Sequence, residues 1–294
     1  MKPKLIVVLG PTAVGKSALA IQLARRFNGE IISADSRQVY TGLNIGTGKV
    51  TKKEMCGVRH HLLDVENPKH RYSVVHYVEQ AKKAINEIQS QGKLPIICGG
   101  TGFYISALVD GIILPEVPPN KKLRSRLAKK SSAELMIILK KLDLKRAKGI
   151  DPRNNRRMIR AIEIATTLGK VPAVSKTLNY NPFFIGITLS SNELKQRIQK
   201  RLLDRMKQGM IVETKKLHKQ GLSWKRMNEL GLEYRYLALH LRGKLTRAEM
   251  IEKLNHEIWQ YARRQMTWFR PDKRINWFSP AEGKKIENSI KKFL

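Results

Sequence analysis

Eight residues near the start of the chain match the pattern G-x-x-x-x-G-K-[ST] at every fixed position. An apolar run over residues 5–9 precedes them and predicts a buried strand, and residues 18–24 predict a helix. In a strand–loop–helix context the backbone N–H groups form a phosphate cradle, the lysine adds a positive charge, and the serine hydroxyl can hold Mg²⁺. The sequence therefore predicts a site for a diphosphate or triphosphate with Mg²⁺ at Ser17. The loop residues are Gly10, Pro11, Thr12, Ala13, Val14, Gly15, Lys16 and Ser17.

The charge of the chain is strongly positive. Its 294 residues include 57 Lys and Arg against 24 Asp and Glu, a formal net charge of +33 at pH 7. Such a surface repels itself unless it meets a polyanion, so nucleic acid is the expected partner. A generally lysine-rich composition is the alternative explanation, and charge alone does not separate RNA, DNA and an anionic membrane.

Cysteine content and hydropathy narrow the class of protein further. Only Cys56 and Cys98 occur, which supports neither a disulfide framework nor a zinc cluster. No apolar segment is long enough to span a membrane, and the first predicted strand leaves no room for a signal peptide. We therefore expect a cytoplasmic protein that does not bind membranes.

The order of predicted elements indicates an α/β fold. Strands are predicted at 4–10, 30–34 and 94–98, with a helix at about 73–91, and a fourth strand follows at 183–189. Alternating strands and helices are typical of a parallel sheet. Between prolines, the segment 117–180 reads as helical and carries 17 Lys or Arg against 4 Asp or Glu. We expect a P-loop core with a parallel sheet, formed by 1–115 and 181–294, and a basic helical insertion at 116–180.

Two strand ends carry residues suited to chemistry. Asp35 follows the second predicted strand, where parallel α/β folds place their ligands, and its carboxylate could hold Mg²⁺, act as a general base or cap a turn. The third strand ends in Gly99-Gly100-Thr101-Gly102, which allows close approach of a ligand or simply makes a tight turn. A P-loop ATPase usually carries an acid at this strand end, so its absence argues against simple ATP hydrolysis.

Four arginines in the basic segment are spaced as one stripe of a helix. Arg153, Arg156, Arg157 and Arg160 fall at i, i+3, i+4 and i+7, with few acids nearby, so they could contact RNA phosphates or form a solvated face. His60 and His61 with Cys56 lack further metal ligands at a recognisable spacing, which favours a pocket or core role.

These stretches together resemble the tRNA dimethylallyltransferases, the bacterial tRNA isopentenyltransferase family. They run in family order over nearly the whole chain. The matching stretches are GPTAVGKS (10–17), ISADSRQVY (32–40), GTGK (46–49), HHLLDV (60–65), YSV (72–74), GGTGFY (99–104), RNNRRMIRAIEI (153–164), YARRQMTWFR (261–270) and Trp277-Phe278.

The resemblance implies a role for each site residue. The loop holds dimethylallyl diphosphate, with Lys16 stabilising the leaving diphosphate; Asp35 is the general base; and Thr101 lies beside the target adenine. Arg235, in the stretch Gly231-Leu232-Glu233-Tyr234-Arg235, helps to hold the diphosphate, although that stretch is longer than the family pattern. The expected tRNA contacts are Asp35, Ser36, Arg37, Gln38, Thr101, Arg124 and the four arginines of the stripe.

The implied reaction transfers a dimethylallyl group to N6 of the adenosine 3′ of the anticodon, in the anticodon stem-loop of tRNA, by a monomer that needs Mg²⁺. ATP could also occupy the phosphate cradle weakly. The alternatives are a P-loop small-molecule kinase, an adenylate isopentenyltransferase and a non-catalytic, nucleotide-gated RNA-binding protein.

Overall fold

The computed structural model describes residues 2–113, 115–173 and 175–294. It divides the chain into two compact units. The larger unit holds the residues up to Gly111 together with Leu178–Leu294, and the smaller unit is Ile112–Thr177. The sequence placed the insertion at 116–180, so the observed unit begins four residues earlier and ends three residues earlier.

The larger unit is built on a six-stranded sheet in which every pair of neighbouring strands is parallel, as predicted. The strand order is β3-β2-β4-β1-β5-β6, so the strand that leads into the phosphate loop lies near the centre. The two short edge strands β3 and β6 were not predicted. The strands are β1 (Lys4–Leu9), β2 (Gly29–Ser33), β3 (His60–His61), β4 (Leu94–Gly99), β5 (Asn181–Ile187) and β6 (Ile275–Phe278).

Helices cover both faces of this sheet. On β1, Leu5 and Val7 pack on one side with α2 and α3, whereas Ile6 and Val8 pack on the other with α1 and α13. A strand buried on both faces needs apolar residues at consecutive positions, which explains the unbroken apolar run. These helices are α1 (Lys16–Arg26), α2 (Val74–Ser90), α3 (Gly102–Val109) and α13 (Gly283–Phe293).

Five further helices of the larger unit lie between β5 and β6 in the chain. α8 and α12 share an apolar core, and each begins with a capping box, Ser190 with Glu193 and Thr246 with Glu249. The five helices are α8 (Ser191–Lys207), α9 (Met210–Lys219), α10 (Trp224–Leu230), α11 (Leu232–Leu241) and α12 (Arg247–Phe269).

The smaller unit is helical. Leu135 and Leu139 of α5 pack against Met158 and Ile162 of α7 in a core of its own. Its helices are α4 (Lys121–Leu127), α5 (Ser132–Leu142), α6 (Leu144–Lys148) and α7 (Asn155–Leu168). Among the residues that the structure describes, no helix combines the length and apolar character needed to cross a membrane.

Candidate active site

The phosphate loop has the backbone geometry that its glycines predict. Gly10, Ala13 and Gly15 have positive φ angles of 143°, 66° and 101°. A Cβ at Gly10 would collide with the backbone oxygen of Ile187 on β5, so only glycine fits there. The chain then turns into α1, which begins at Lys16 and points its N-terminus toward the loop. This arrangement is the strand–loop–helix anion cradle that the sequence predicted.

Lys16 lies at an inner cavity of about 70 Å³ beside the loop. Its Nζ donates to the backbone oxygen of Pro11 at 2.6 Å. Burial lowers the pKa of Lys16 to about 8; the positive charge of Arg201 acts in the same direction, whereas the carboxylate of Asp35 opposes it. A dianion that enters the cavity would therefore stabilise the charged form of Lys16.

A second cation, Arg201 of α8, reaches the same inner cavity. Its Nη1 donates to the Thr12 hydroxyl and its Nη2 to the Gly48 oxygen, both at 3.3 Å. Burial, reinforced by the charge of Arg205, lowers the pKa of Arg201. Arg201 was not predicted from the sequence, because it lies far from the phosphate loop along the chain, in a helix with many other basic residues. Lys16 and Arg201 together give the cradle two positive charges.

Cys98 occupies the end of β4 that faces the phosphate loop. Its side chain lines the inner cavity with Lys16 and Ser17. Burial raises the pKa of the Cys98 thiol to about 11, so the group is neutral at physiological pH. The end of β4 therefore presents a neutral thiol to the inner cavity, and the expectation against ATP hydrolysis stays a prediction.

Asp35 lies two residues beyond β2 and lines both the inner cavity and an outer one. Its Oδ1 accepts hydrogen bonds from the backbone N–H groups of Arg37 at 2.8 Å and Gln38 at 3.3 Å. The carboxylate therefore caps the turn, which was one of the three alternatives, and it also faces both cavities. The Gln38 amide in turn donates to the Gly48 oxygen at 3.3 Å, which ties this turn to the loop before Lys49.

Thr101 joins the ends of β2 and β4. Its Oγ1 accepts the Ser36 N–H at 3.0 Å, and its backbone N–H donates to the Ala34 oxygen at 3.1 Å. The Tyr261 hydroxyl of α12 lies close to the Thr101 side chain. Burial raises the pKa of Tyr261, and the nearby carboxylate of Asp35 adds to that shift, so the phenol stays protonated. Thr101 thus lies beside the Asp35 turn and close to a phenol that the sequence did not single out.

The outer cavity, of about 220 Å³, contains Arg235. The Nε and Nη2 atoms of Arg235 each lie 3.4 Å from the backbone oxygen of Asn228. Arg205 also lines this cavity and pairs with Glu233 at 3.3 Å. The inner and outer cavities share Thr12, Asp35, Thr47 and Tyr261, so they adjoin. Arg235 therefore lies with Asp35 in the outer cavity, whereas Lys16 and Ser17 share the inner one with Arg201.

The arginines predicted to form one helical stripe divide into two groups. Arg153 is not in the helix: Asn154 caps α7 by accepting the Arg157 N–H at 3.1 Å, and Arg153 bonds back to Asp151 in the preceding turn. The expectation of a single stripe was wrong for Arg153, because Asn154 is the N-cap of α7 and Arg153 therefore precedes the helix. Arg153, Arg156 and Arg157 are exposed.

Arg124 and Arg160, which were also predicted to bind RNA, are held by a buried acid. Arg124 makes two bonds to Glu163, at 2.8 and 2.6 Å, and Arg160 bonds to the same carboxylate and to the Val117 oxygen. Glu163 is 1% exposed. Burial opposes ionisation, but the bonds from Arg124 and Arg160 prevail and lower its pKa. The expectation of few acids near the stripe was wrong for Arg160, and the shared carboxylate of Glu163 ties α4 to α7 through Arg124.

The histidine pair lies at the edge of the sheet. His61 Nε2 is 2.7 Å from Glu30, whose other oxygen accepts from Lys93 at 2.6 Å, and His60 Nδ1 is 2.9 Å from the Val58 oxygen. These contacts fit the core role that the sequence favoured. Across the described ranges, no three or more His, Cys, Asp or Glu side chains cluster as a metal site. Hard oxygen donors beside the phosphate loop, Ser17 and Asp35 in the inner cavity, match what Mg²⁺ prefers when phosphates supply the other ligands.

Comparison with known proteins identifies relatives over the whole chain. The family model described as IPP transferase matches residues 38–272. The chain is 44% identical to "tRNA dimethylallyltransferase 2" of Treponema denticola, over 92% of this chain and 94% of that protein. It is 40% identical to "tRNA dimethylallyltransferase" of Anoxybacillus flavithermus, over 100% and 96% respectively.

Solved structures of proteins with related names are also similar to this chain. A tRNA isopentenylpyrophosphate transferase from Bacillus halodurans superposes with a TM-score of 0.76 at 36% identity, covering 99% of this chain and 96% of that one. A eukaryotic dimethylallyltransferase described as acting on tRNA superposes with a TM-score of 0.82 at 28% identity, covering 94% and 74%.

Proposed function

Because the chain belongs to the IPP transferase family, we propose that it transfers the dimethylallyl group of dimethylallyl diphosphate to tRNA, at N6 of the adenosine on the 3′ side of the anticodon. The observation that carries this proposal is the inner cavity, whose wall combines the phosphate loop, the carboxylate of Asp35 and a neutral Cys98. Such a wall suits a diphosphate that leaves and an amine that must lose a proton.

The donor half of the site holds the diphosphate. Lys16 and Arg201 supply two positive charges, and the N-terminus of α1 supplies backbone N–H groups. As the C–O bond of the donor breaks, its electron pair passes to the diphosphate, and these groups stabilise the growing charge. Arg235, in the adjoining outer cavity, is proposed to help hold the diphosphate.

The acceptor half must make a poor nucleophile reactive. The N6 amine of adenine is weakly nucleophilic because its lone pair is delocalised into the ring. As N6 forms its bond to C1 of the dimethylallyl group, Asp35 takes a proton from N6 as general base. Thr101, whose hydroxyl accepts the Ser36 N–H at 3.0 Å, is proposed to lie beside the target adenine. Ser36, Arg37 and Gln38, on the same turn as Asp35, are proposed to contact the RNA. The target base must leave its stack to reach this site.

Magnesium is proposed as the cofactor. Ser17 and the substrate phosphates would hold it, and the bound ion would neutralise diphosphate charge and thereby improve the leaving group. The residues described above bind the donor and move the proton.

RNA binding is proposed for the exposed arginines of the smaller unit. Arg153, Arg156 and Arg157 are exposed on a unit with a large excess of positive charge, and RNA phosphates are the polyanion that would compensate it. Arg124 and Arg160 would contribute through whatever part of each guanidinium the Glu163 carboxylate leaves open. We propose that the protein acts on tRNA as a monomer in the cytoplasm.

The test compares acceptors. The purified protein is incubated with radiolabelled dimethylallyl diphosphate, Mg²⁺ and either unmodified tRNA, AMP or ATP. We expect label in tRNA alone. Label in AMP or ATP would move the protein to the adenylate isopentenyltransferases, and binding of tRNA with no transfer to any acceptor would favour a non-catalytic RNA-binding protein.

A further inference from the structure

One buried side chain joins the donor half of the site to the acceptor half. Gln265 of α12 is 6% exposed and lines the inner cavity. Its Oε1 accepts the backbone N–H of Thr12 in the phosphate loop at 2.8 Å, and its Nε2 donates to the backbone oxygen of Gly100 at 2.9 Å. A single planar amide therefore spans the loop that is to hold the diphosphate and the turn that leads into Thr101.

Gly100 is shaped to receive this amide. A Cβ on Gly100 would collide with Nε2 of Gln265. The backbone of Gly100 does not have a positive φ, so conformation alone does not require glycine there. The missing side chain instead admits the Gln265 carboxamide to hydrogen-bonding distance. Both partners of the contact are thus adapted to it.

The backbone N–H of Thr12 is the second partner of the Gln265 carboxamide. It is a polar group of the phosphate loop, yet it donates to Gln265. The carboxamide accepts on one side and donates on the other, so it matches an N–H and a carbonyl that lie on two different loops. A buried polar group held by two bonds of 2.8 and 2.9 Å has one orientation, and the two loops are held at one separation.

We propose that Gln265 is a positioning residue that sets the distance between the donor diphosphate and the acceptor adenine. The inference rests on the proposed prenyl transfer. Group transfer between two bound substrates requires the reacting atoms to lie about 3–3.5 Å apart and in line, and a misplacement of about 1 Å costs on the order of 10²-fold in rate. Gln265 touches the two loops that bind the substrates, and it takes no part in proton transfer.

The first test replaces Gln265 by Met, which keeps the length of the side chain and removes both hydrogen bonds. The matched control is Gln260→Met on the same helix, since the Gln260 side chain is hydrogen-bonded to its helix neighbours His256 and Arg263, at 3.4 Å. We expect the single-turnover rate at saturating substrates to fall about 10- to 100-fold in Gln265→Met, with the Kd for dimethylallyl diphosphate and for tRNA within about threefold of wild type. The control should match wild type in all three quantities.

The second test displaces the amide from the other side. Gly100→Ala pushes Nε2 away and should produce the same pattern, slow transfer with intact binding. Gln265→Met and Gly100→Ala both break the hydrogen bond from Nε2 of Gln265 to the Gly100 oxygen, so the double variant should be no slower than the slower single variant. This arm decides the question if Gln265→Met does not fold.

The outcomes distinguish the positioning role of Gln265 from the proposed prenyl transfer to tRNA. Transfer by wild type with a normal rate in both single variants would overturn the positioning role and leave the proposed function intact. A loss of affinity that accounts for the whole loss of rate, or effects of the two substitutions that multiply, would also overturn it. Failure of wild type to prenylate tRNA would instead refute the proposed function.

Discussion

Replacing Asp35 by Asn separates the chemistry of this residue from its part in the fold. An Asn oxygen can still accept the backbone N–H groups of Arg37 and Gln38, which lie 2.8 and 3.3 Å from Oδ1. The turn should therefore persist, and the free energy of unfolding should change by less than about 1 kcal/mol. The amide cannot take a proton from the adenine amine, so the transfer step should slow by about 10²- to 10⁴-fold. At about 1.4 kcal/mol per decade, this is about 3–5 kcal/mol of lost transition-state stabilisation.

The assay for Asp35→Asn is rapid-quench single turnover with enzyme in excess over tRNA, together with binding of tRNA and thermal unfolding. Asp204→Asn, the same substitution at an exposed position of α8, is the matched control and should transfer at the wild-type rate. Transfer by Asp35→Asn at near wild-type speed would refute the general-base assignment. A large loss of stability would instead show that the carboxylate is needed for the turn itself.

Three other perturbations test separate parts of the account. Because the pKa of Lys16 is lowered to about 8, its positive charge is lost as the pH rises through 8, so dimethylallyl diphosphate should bind more weakly. Lys16→Arg, which stays charged, should flatten that dependence in calorimetry, and a wild-type Kd that is constant from pH 7 to 9 would contradict the reasoning. Replacing Arg156 and Arg157 by Ala should weaken tRNA binding and lower the slope of log K against log salt by about 0.7–0.9 per lost contact, whereas an unchanged slope would leave these residues a solvated face. Glu163→Gln leaves two guanidinium groups without a counter-charge and should cost the smaller unit about 3 kcal/mol, near the low end for a broken buried pair because both partners are about a third exposed. An unfolding transition identical to wild type would exclude this structural role.

Local patterns were sufficient to predict the parts of the site that lie on one short stretch of chain. The phosphate loop, the strand before it and the turn at Asp35 are set by neighbouring residues, and the structure places them as expected. The central strands are equally readable, because burial on both faces demands apolar residues in succession. The edge strands β3 and β6, with two and four residues, are too short for such a signal.

Residues brought to the site by tertiary packing left no such signal. Arg201 of α8 and Gln265 of α12 reach the phosphate loop only because their helices pack there. On α7, two signals in the sequence were available and were not used. Asn154 is a good N-cap residue, which places Arg153 outside the helix, and Glu163 follows Arg160 by three residues, where a helix brings charges together.

The central claim is that the phosphate loop holds a prenyl diphosphate as leaving group, and that it does not use ATP as an energy source. The most direct measurement incubates the protein with unmodified tRNA, dimethylallyl diphosphate and Mg²⁺ in the absence of any nucleoside triphosphate. Diphosphate release is counted while mass spectrometry identifies the modified nucleoside. The account predicts one diphosphate released for each N6-dimethylallyladenosine formed, and no acceleration when ATP is added. An absolute requirement for ATP, or one ADP released per transfer, would contradict it and favour a P-loop kinase.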